Sequence, residues 1–220
     1  MILVIDKVLD GHEAAAAYEA AATLDFEDGR KTAGRYAHEH KNNEQAVDNA
    51  ARNAVLEKVR GKLLENELVQ SAARPRGFAR MAVSRYTVGM NYGFHTDDAI
   101  MDGSRTDLSF TLCLSPASAY EGGELVIDEA LEQRAIRLDA GQMVLYPSNT
   151  LHRVAPVTAG MRLAAIGWIT SWVPDPGRRA VLFDLDRAVR EVHAAAGNVG
   201  PGTAELLRAR SNLFRMWAEG

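Results

Sequence analysis

Short apolar runs, broken by glycine, proline, asparagine and aspartate, dominate the chain after Pro75. They fall at residues 78–86, 107–114, 124–127, 134–138, 143–146, 151–154 and 162–172. Runs of this length and spacing predict an antiparallel β-sandwich or jelly roll. On either side the pattern is helical. Residues 13–24 are alanine-rich and helical by propensity. Val47, Ala50, Ala54, Leu56, Val59 and Leu63 recur at three- and four-residue spacing, which predicts one scaffold helix over about 44–65. Residues 2–5 read as a short buried strand, and 25–43 as irregular or partly stranded. Near the C-terminus, 180–195 and 204–217 predict two amphipathic helices separated by 197–202. The expected fold class is therefore α+β. A single domain, 1–220, would comprise N-terminal helical support (1–75), a β core (76–174) and a C-terminal helical extension (175–220).

Bulk properties narrow the setting. The chain is 47% hydrophobic and 25% charged, ordinary for a globular protein that buries a real core. A formal net charge of -4 argues against a general nucleic-acid binder, which would show a basic patch or stripe. No apolar run approaches the roughly 20 residues that span a bilayer, and the N-terminus lacks the basic-then-apolar pattern of a secretory signal. A cytoplasmic location is expected, with no membrane and no nucleic acid among the partners. The single cysteine, Cys113, lies in an apolar run and reads as a small core residue.

Candidate chemistry begins at His95-Thr96-Asp97. In an extended strand, residues i and i+2 point to one face, so this imidazole and carboxylate can reach one metal ion. Of the other histidines, His152 stands out, because it follows a strand, a turn and the start of another strand. His38 and His40 have metal-like spacing but read as solvated loop residues; His12 and His193 lie at or in helices. Two imidazoles and a carboxylate form the facial triad of non-haem Fe(II) oxygenases, which leaves coordination positions open. Zinc hydrolases use similar ligands. Arg162 lies ten residues beyond His152, with a turn-like Pro156-Val157-Thr158-Ala159-Gly160 between them. A hairpin about Val157 would set 152 and 162 opposite each other on one face. An arginine entering so apolar a strand is either at its wet end or buried against an anion, which a carboxylate supplies bidentately. Asp98 reads as a solvated or supporting residue.

These residues belong to a wider pattern: Tyr86-x-x-Gly89, Tyr92-Gly93-x-His95-x-Asp97, Arg105-Thr106-Asp107-Leu108-Ser109, Gly122-Gly123-Glu124-Leu125, Leu145-Tyr146-Pro147-Ser148, Leu151-His152-Arg153-Val154 and Arg162. Lys41-Asn42-Asn43 and Leu182-Phe183-Asp184-Leu185-Asp186 extend it to nearly the whole chain. In these motifs the sequence resembles the Fe(II)/2-oxoglutarate-dependent dioxygenases, and within them the PKHD-type hydroxylases (prolyl/lysyl hydroxylase-like domain). The resemblance implies a double-stranded β-helix, or jelly-roll, core. It implies iron held by His95, Asp97 and His152, and 2-oxoglutarate with its distal carboxylate on Arg162. Tyr86 would lie near that co-substrate, and Tyr92 would line the substrate side. Relatives also hold the distal carboxylate with a tyrosine from the strand at 107–114, where this chain offers only Ser109, Thr111 and Cys113. The implied activity is hydroxylation of a peptide, amino acid or small metabolite with O2, releasing succinate and CO2, with L-ascorbate as an accessory reductant. Two rivals stand beside it: a non-catalytic iron- or 2-oxoglutarate-sensing protein on the same fold, and a cupin-type metal enzyme, which would not need Arg162. Residues 213–217 are apolar enough to dock on their own core or on a second subunit, the latter giving a homodimer.

Overall fold

The structure, a computed structural model, describes every residue except Ala33, Arg35, Tyr36, Ala130, Gly197, Asn198, Val199 and Gly220. In chain order the elements are β1 (Leu3–Ile5), α1 (Gly11–Ala22), β2 (Phe26–Asp28), β3 (Lys41–Asn42), β4 (Glu44–Ala46), α2 (Ala50–Glu65), α3 (Glu67–Ala73), β5 (Pro75–Thr87), β6 (Asn91–His95), β7 (Ile100–Met101), β8 (Ser104–Arg105), β9 (Leu108–Cys113), β10 (Tyr120–Gly122), β11 (Leu125–Asp128), β12 (Gln133–Ile136), β13 (Met143–Pro147), β14 (His152–Val154), β15 (Val157–Ser171), α4 (Pro176–Ala196) and α5 (Pro201–Trp217).

The strands form two antiparallel sheets and a small hairpin, β7 with β8. The large sheet runs β1-β13-β9-β15-β5-β4-β2, with β10 added beside β15; the smaller runs β12-β11-β14-β6-β3. This is an α+β jelly roll. Its central strands are buried on both faces. Leu108, Phe110, Leu112, Leu163, Ala165 and Ile169 point to α1, α2 and α3 and form the main core. Cys113 faces the other way and packs with Tyr86, Tyr146, Leu125, Ile127 and Val154 between the sheets. Each fully buried leucine or phenylalanine contributes about 1.5–3 kcal/mol. Alternation within one strand thus builds a dry core behind the sheet and a lined space in front of it.

Three expectations about local structure are corrected. The helix placed at 44–65 begins only at Ala50, because Asn49 caps it by accepting from the Arg52 N–H. Residues 44–46 are instead β4, tied to β5 by the Arg85–Glu44 ion pair at 2.6 Å. Next, the strand at 2–5 is an edge strand: Ile5 is buried, but Val4 is exposed. Finally, β14 and β15 do not form a hairpin. Pro156, which has no N–H to donate, lies where the chain crosses from the small sheet to the large one, and the Val157 N–H donates to Met90 O. His152 pairs with His95, and Arg162 with Tyr86. The helices expected at 180–195 and 204–217 are present as α4 and α5; the separator expected at 197–202 lies partly outside the described residues.

The C-terminal helices are fastened by one buried carboxylate. Asp186 on α4 accepts from Ser71 Oγ (2.7 Å) and Arg74 (2.6 Å) and pairs with Arg210 on α5. Arg74 ends α3 in the left-handed conformation (φ 45°) and is itself buried. Removing Asp186 strands Arg74 in a low-dielectric site. Asp186→Ala should therefore cost about 3–5 kcal/mol of unfolding free energy, measured as a lower urea midpoint. A loss below about 1 kcal/mol, the level of a surface ion pair, would show that the network is not buried in solution.

Candidate active site

His95 closes β6 and His152 opens β14. The two strands pair so that these residues are direct cross-strand neighbours, with ring centroids 4.3 Å apart. Each ring is fixed by a backbone carbonyl two residues before it: His95 Nδ1 donates to Gly93 O (2.8 Å) and His152 Nδ1 to Thr150 O (2.9 Å). A carbonyl can only accept, so Nδ1 carries a proton, and in the neutral ring Nε2 is the nitrogen left for a metal. Asp97 lies beyond the end of β6, not within it. Its N–H donates to Ser148 O (3.2 Å), and one carboxylate oxygen accepts from Ser109 Oγ at 2.5 Å. The other oxygen lies 3.9 Å from His95 Nε2. Ligand atoms of His95, Asp97 and His152 all fall within 4.8 Å of one another. Two neutral nitrogens and one oxygen, each braced from behind, can hold a divalent ion of the iron type.

The local sequence explains this placement. Gly93 precedes His95 at the point where β6 meets the end of β3; a Cβ there would come within 2.8 Å of His40 Cβ. Tyr92 stacks on the His95 ring at 3.6 Å. Burial, followed by the charge of His152, holds His95 down at about 4.

Arg162 enters the large sheet opposite Tyr86, its guanidinium 5.4 Å from the Tyr86 ring centre. It is only 3% exposed, and among the described residues it has no carboxylate partner and no side-chain hydrogen bond. Of its two readings, the solvated strand end is thereby excluded. Tyr86 is also buried, and burial raises its hydroxyl to about 12, so it stays a neutral donor. Gly123, at φ 68°, lies against Arg162; a Cβ there would approach Arg162 Cδ to 2.9 Å. Gly123 thus makes room for the arginine stem, while Gly122 lets the chain pass against Pro156 O.

A cavity opens in front of the metal-ligand cluster. Tyr86, Tyr92, His95, Asp97, Ser109, Tyr146 and His152 line it, and Asp98 stands exposed at its rim. Sequence reasoning missed several of its walls. Tyr146 places its hydroxyl 3.2 Å from His152 Nε2. Trp168 shares a face with Ser109 and Arg80 through strand pairing. Lys41, Asn43 and Gln45 are all buried and line the same space. A signal for that last group was present: three polar residues at i, i+2 and i+4 mark one face of an extended segment. His38 and His40 are exposed, and Cys113 is buried, as expected.

A jelly roll carrying a His-x-Asp pair, a distant histidine and a buried arginine defines the class of 2-oxoglutarate- and iron-dependent oxygenases. The family profile of the 2OG-Fe(II) oxygenase superfamily matches residues 81–170, and that of the PKHD-type hydroxylase C-terminal domain matches 177–219. A PKHD-type hydroxylase of Parvibaculum lavamentivorans is 49% identical over 194 residues, 88% of each chain, and one of Acaryochloris marina is 44% identical over the full length of both. The chain belongs to the PKHD-type hydroxylases, enzymes that depend on Fe(II) and 2-oxoglutarate. Solved structures share the fold at low identity. The 2-oxoglutarate complex of a collagen prolyl hydroxylase from Paramecium bursaria chlorella virus-1 has a TM-score of 0.54 and 22% identity, covering 77% of this chain and 96% of the other. HygX from Streptomyces hygroscopicus, with nickel and 2-oxoglutarate bound, has 0.58 and 14%, covering 78% and 84%.

The lowered His95 has a measurable consequence in the metal-free protein. Its folded-state value lies below the ordinary 6.5, so its neutral form favours folding above that pH. This contribution is lost as pH falls from about 6.5 through about 4. The denaturant midpoint of metal-free protein should fall across that window, and His95→Gln should flatten the fall. Parallel curves for the two proteins would assign the effect to other groups.

Proposed function

We propose that His95, Asp97 and His152 hold the iron, and that Arg162 takes the distal carboxylate of 2-oxoglutarate. The carrying observation is Arg162 itself, a buried guanidinium without an anion on the side of the large sheet that faces the metal-ligand cluster. Leaving such a cation unpaired costs several kcal/mol. A bound carboxylate removes that cost and gains two parallel charge-assisted hydrogen bonds. Bound together, iron, 2-oxoglutarate and O2 supply the oxidising chemistry that inserts oxygen into a C–H bond and releases succinate and CO2.

The protein's part is positioning. Gly93 O and Thr150 O keep both Nε2 atoms turned to the metal, and Ser109 holds one oxygen of Asp97 so that the other remains available. Tyr86, kept protonated by burial, donates toward the co-substrate beside Arg162. Tyr92 fixes the His95 ring by stacking and forms part of the substrate wall. Ascorbate acts only to restore ferrous iron. The working unit is the single domain 1–220 in the cytoplasm; among the described residues no helix is long and apolar enough to cross a membrane. The homodimer remains part of this reading through Met216, exposed on α5. Its neighbours Phe214 and Trp217 lie against Arg74 and Arg178 of their own chain.

Purified anaerobically and loaded with Fe(II), the protein should form succinate from 2-oxoglutarate on exposure to air. Arg162→Ala should raise the 2-oxoglutarate requirement at least about tenfold, the worth of a charge-assisted hydrogen bond, with iron content retained. Equal loss of iron would give Arg162 a structural role. His152→Ala should abolish stoichiometric iron binding, and full retention would remove the triad assignment. Gly123→Ala is the subtler variant: by crowding the Arg162 stem it should shift the 2-oxoglutarate requirement in the same direction as Arg162→Ala.

A further inference from the structure

Besides Arg162, Lys41 is a buried cation, and it lies on the wall of this cavity. It is only 7% exposed and lines the same space as the metal-ligand cluster. Its ammonium donates to Thr32 Oγ1 (3.0 Å), and it makes no ion pair among the described residues. Thr32 in turn donates to Gln45 Oε1 (2.6 Å), so this hydroxyl is committed on both sides. An ammonium has three donors, and one hydroxyl does not neutralise it. The nearby Asp97 is already engaged by Ser109 and turned to the metal position. Arg80, which also lines the space, is matched by Asp102, and Arg162 serves the co-substrate in the reading above. Lys41 is left over.

One further group on the walls of this cavity lacks a partner: Trp168 Nε1 is a buried donor with none. Asn43 Oδ1 also has none, but it packs against Gly29. Buried polar atoms are nearly always hydrogen-bonded, and exceptions at a cavity wall mark where a ligand's polar groups fall. Lys41 is also close to the reacting centre. Its Nζ lies 5.4 Å from the Tyr92 ring centre, and that ring stacks on His95 at 3.6 Å. A small molecule whose anionic end rests on Lys41 can therefore present its other end to the metal.

We propose that Lys41 is the substrate anchor, and that the substrate carries a free carboxylate, as in an amino acid or the C-terminus of a peptide. The carboxylate rests on the Lys41 ammonium, with Trp168 Nε1–H as a further donor in the same chamber. The inference rests on the hydroxylase reading of the site and assigns its two buried cations to two anions, Arg162 to the co-substrate and Lys41 to the substrate. Burial draws Lys41 down to about 8, the charge of Asp97 opposing this only in part, and a bound carboxylate would reverse that shift.

The test compares acids with their amides. L-amino acids, N-acetyl-amino acids and dipeptides are each paired with the corresponding C-terminal amide. Each is scored by succinate formation above the substrate-free rate. The same pairs are also scored by the thermal shift and tryptophan fluorescence of iron- and 2-oxoglutarate-loaded protein held anaerobically. At least one acid should act where its amide does not. Lys41→Met should raise the half-saturating concentration of that acid roughly ten- to hundredfold, the worth of a hydrogen bond to a charged group. The half-saturating concentration of 2-oxoglutarate should stay in place. Lys41→Arg should recover part of the loss, and Trp168→Phe, which keeps a ring and removes the N–H, should weaken the same acid independently. Acids and amides acting alike would overturn the proposal. So would a Lys41→Met enzyme with unchanged acid dependence, or one whose 2-oxoglutarate requirement rises equally. A wild-type enzyme that forms succinate but responds to no acid by any readout would also overturn it. Absence of succinate from the wild-type protein contradicts the hydroxylase reading instead, and the anaerobic binding measurements still decide the anchor.

Discussion

A strand buried on both faces has no freedom of register, and β15 is such a strand. It pairs with β5 on one side and β9 on the other. Leu163, Ala165 and Ile169 pack toward the helices, while Arg162, Ala164, Ile166 and Trp168 alternate with them toward the small sheet. A slip of one residue would drive Arg162 into the apolar core behind the sheet and turn Leu163 toward the cavity. The apolar alternation that stabilises the fold therefore also places the arginine. Specifying the fold and placing the buried arginine are one physical requirement on this strand.

The metal-ligand cluster obeys a different logic, because its donors come from chain segments that hydrophobic packing alone would not align. Here backbone carbonyls do the aligning. Gly93 O and Thr150 O select the tautomer and the rotation of the two imidazoles, and Ser148 O draws in the Asp97 backbone. Direct pairing of His95 with His152 sets the spacing. Two imidazoles and one carboxylate are a donor set that suits a divalent cation. The buried positive charge nearby, Lys41 on the cavity wall and Arg162 beside Tyr86, is what the proposed reading assigns to bound anions. Unpaired buried cations are costly, and the two near one metal position are better understood as binding groups than as contributors to stability.

Much of this was legible in the residues. His95, Asp97, His152 and Arg162 could be read from spacing and from the chemistry that a His-x-Asp pair requires, and the strand pattern after Pro75 mapped closely onto β5 to β15. What failed was partnership. Residues 152 and 162 have hairpin spacing, yet Pro156 sends the chain from one sheet to the other, and nothing local announces which sheet a short strand joins. Their common orientation toward the site comes from two unrelated pairings, His95 with His152 and Tyr86 with Arg162. Helical periodicity over 44–65 was likewise genuine only from Ala50, because Glu44 and Gln45 meet β5 through tertiary pairing that propensity does not see. Lys41 figured only as part of the family pattern, without a role of its own, because polar residues in a turn-rich segment look solvated until the burial of their neighbours is known.

The C-terminal helices lie outside the jelly roll but bear on the stiffness of its cavity. Arg162 is near the start of β15, where Gly123 and Tyr86 confine it. The other end of β15, just beyond Trp168, is held by a chain of polar contacts. Asp107 accepts from the Ser171 N–H (2.8 Å) and pairs with Arg105, and Arg179 of α4 donates to Val173 O (2.8 Å) and Pro174 O (2.6 Å). Asp186 joins the same helix to Arg74 at the start of β5. Strands β5 and β15, which carry Arg80, Tyr86, Arg162 and Trp168, are therefore clamped at both ends. A site that receives ligands as proposed above, with an anion on Arg162 and a substrate near Lys41, gains from walls that do not need to be ordered on binding, since each side chain already fixed is entropy not lost when the ligand arrives. On this argument the helical extension belongs to the binding chamber as much as to the fold.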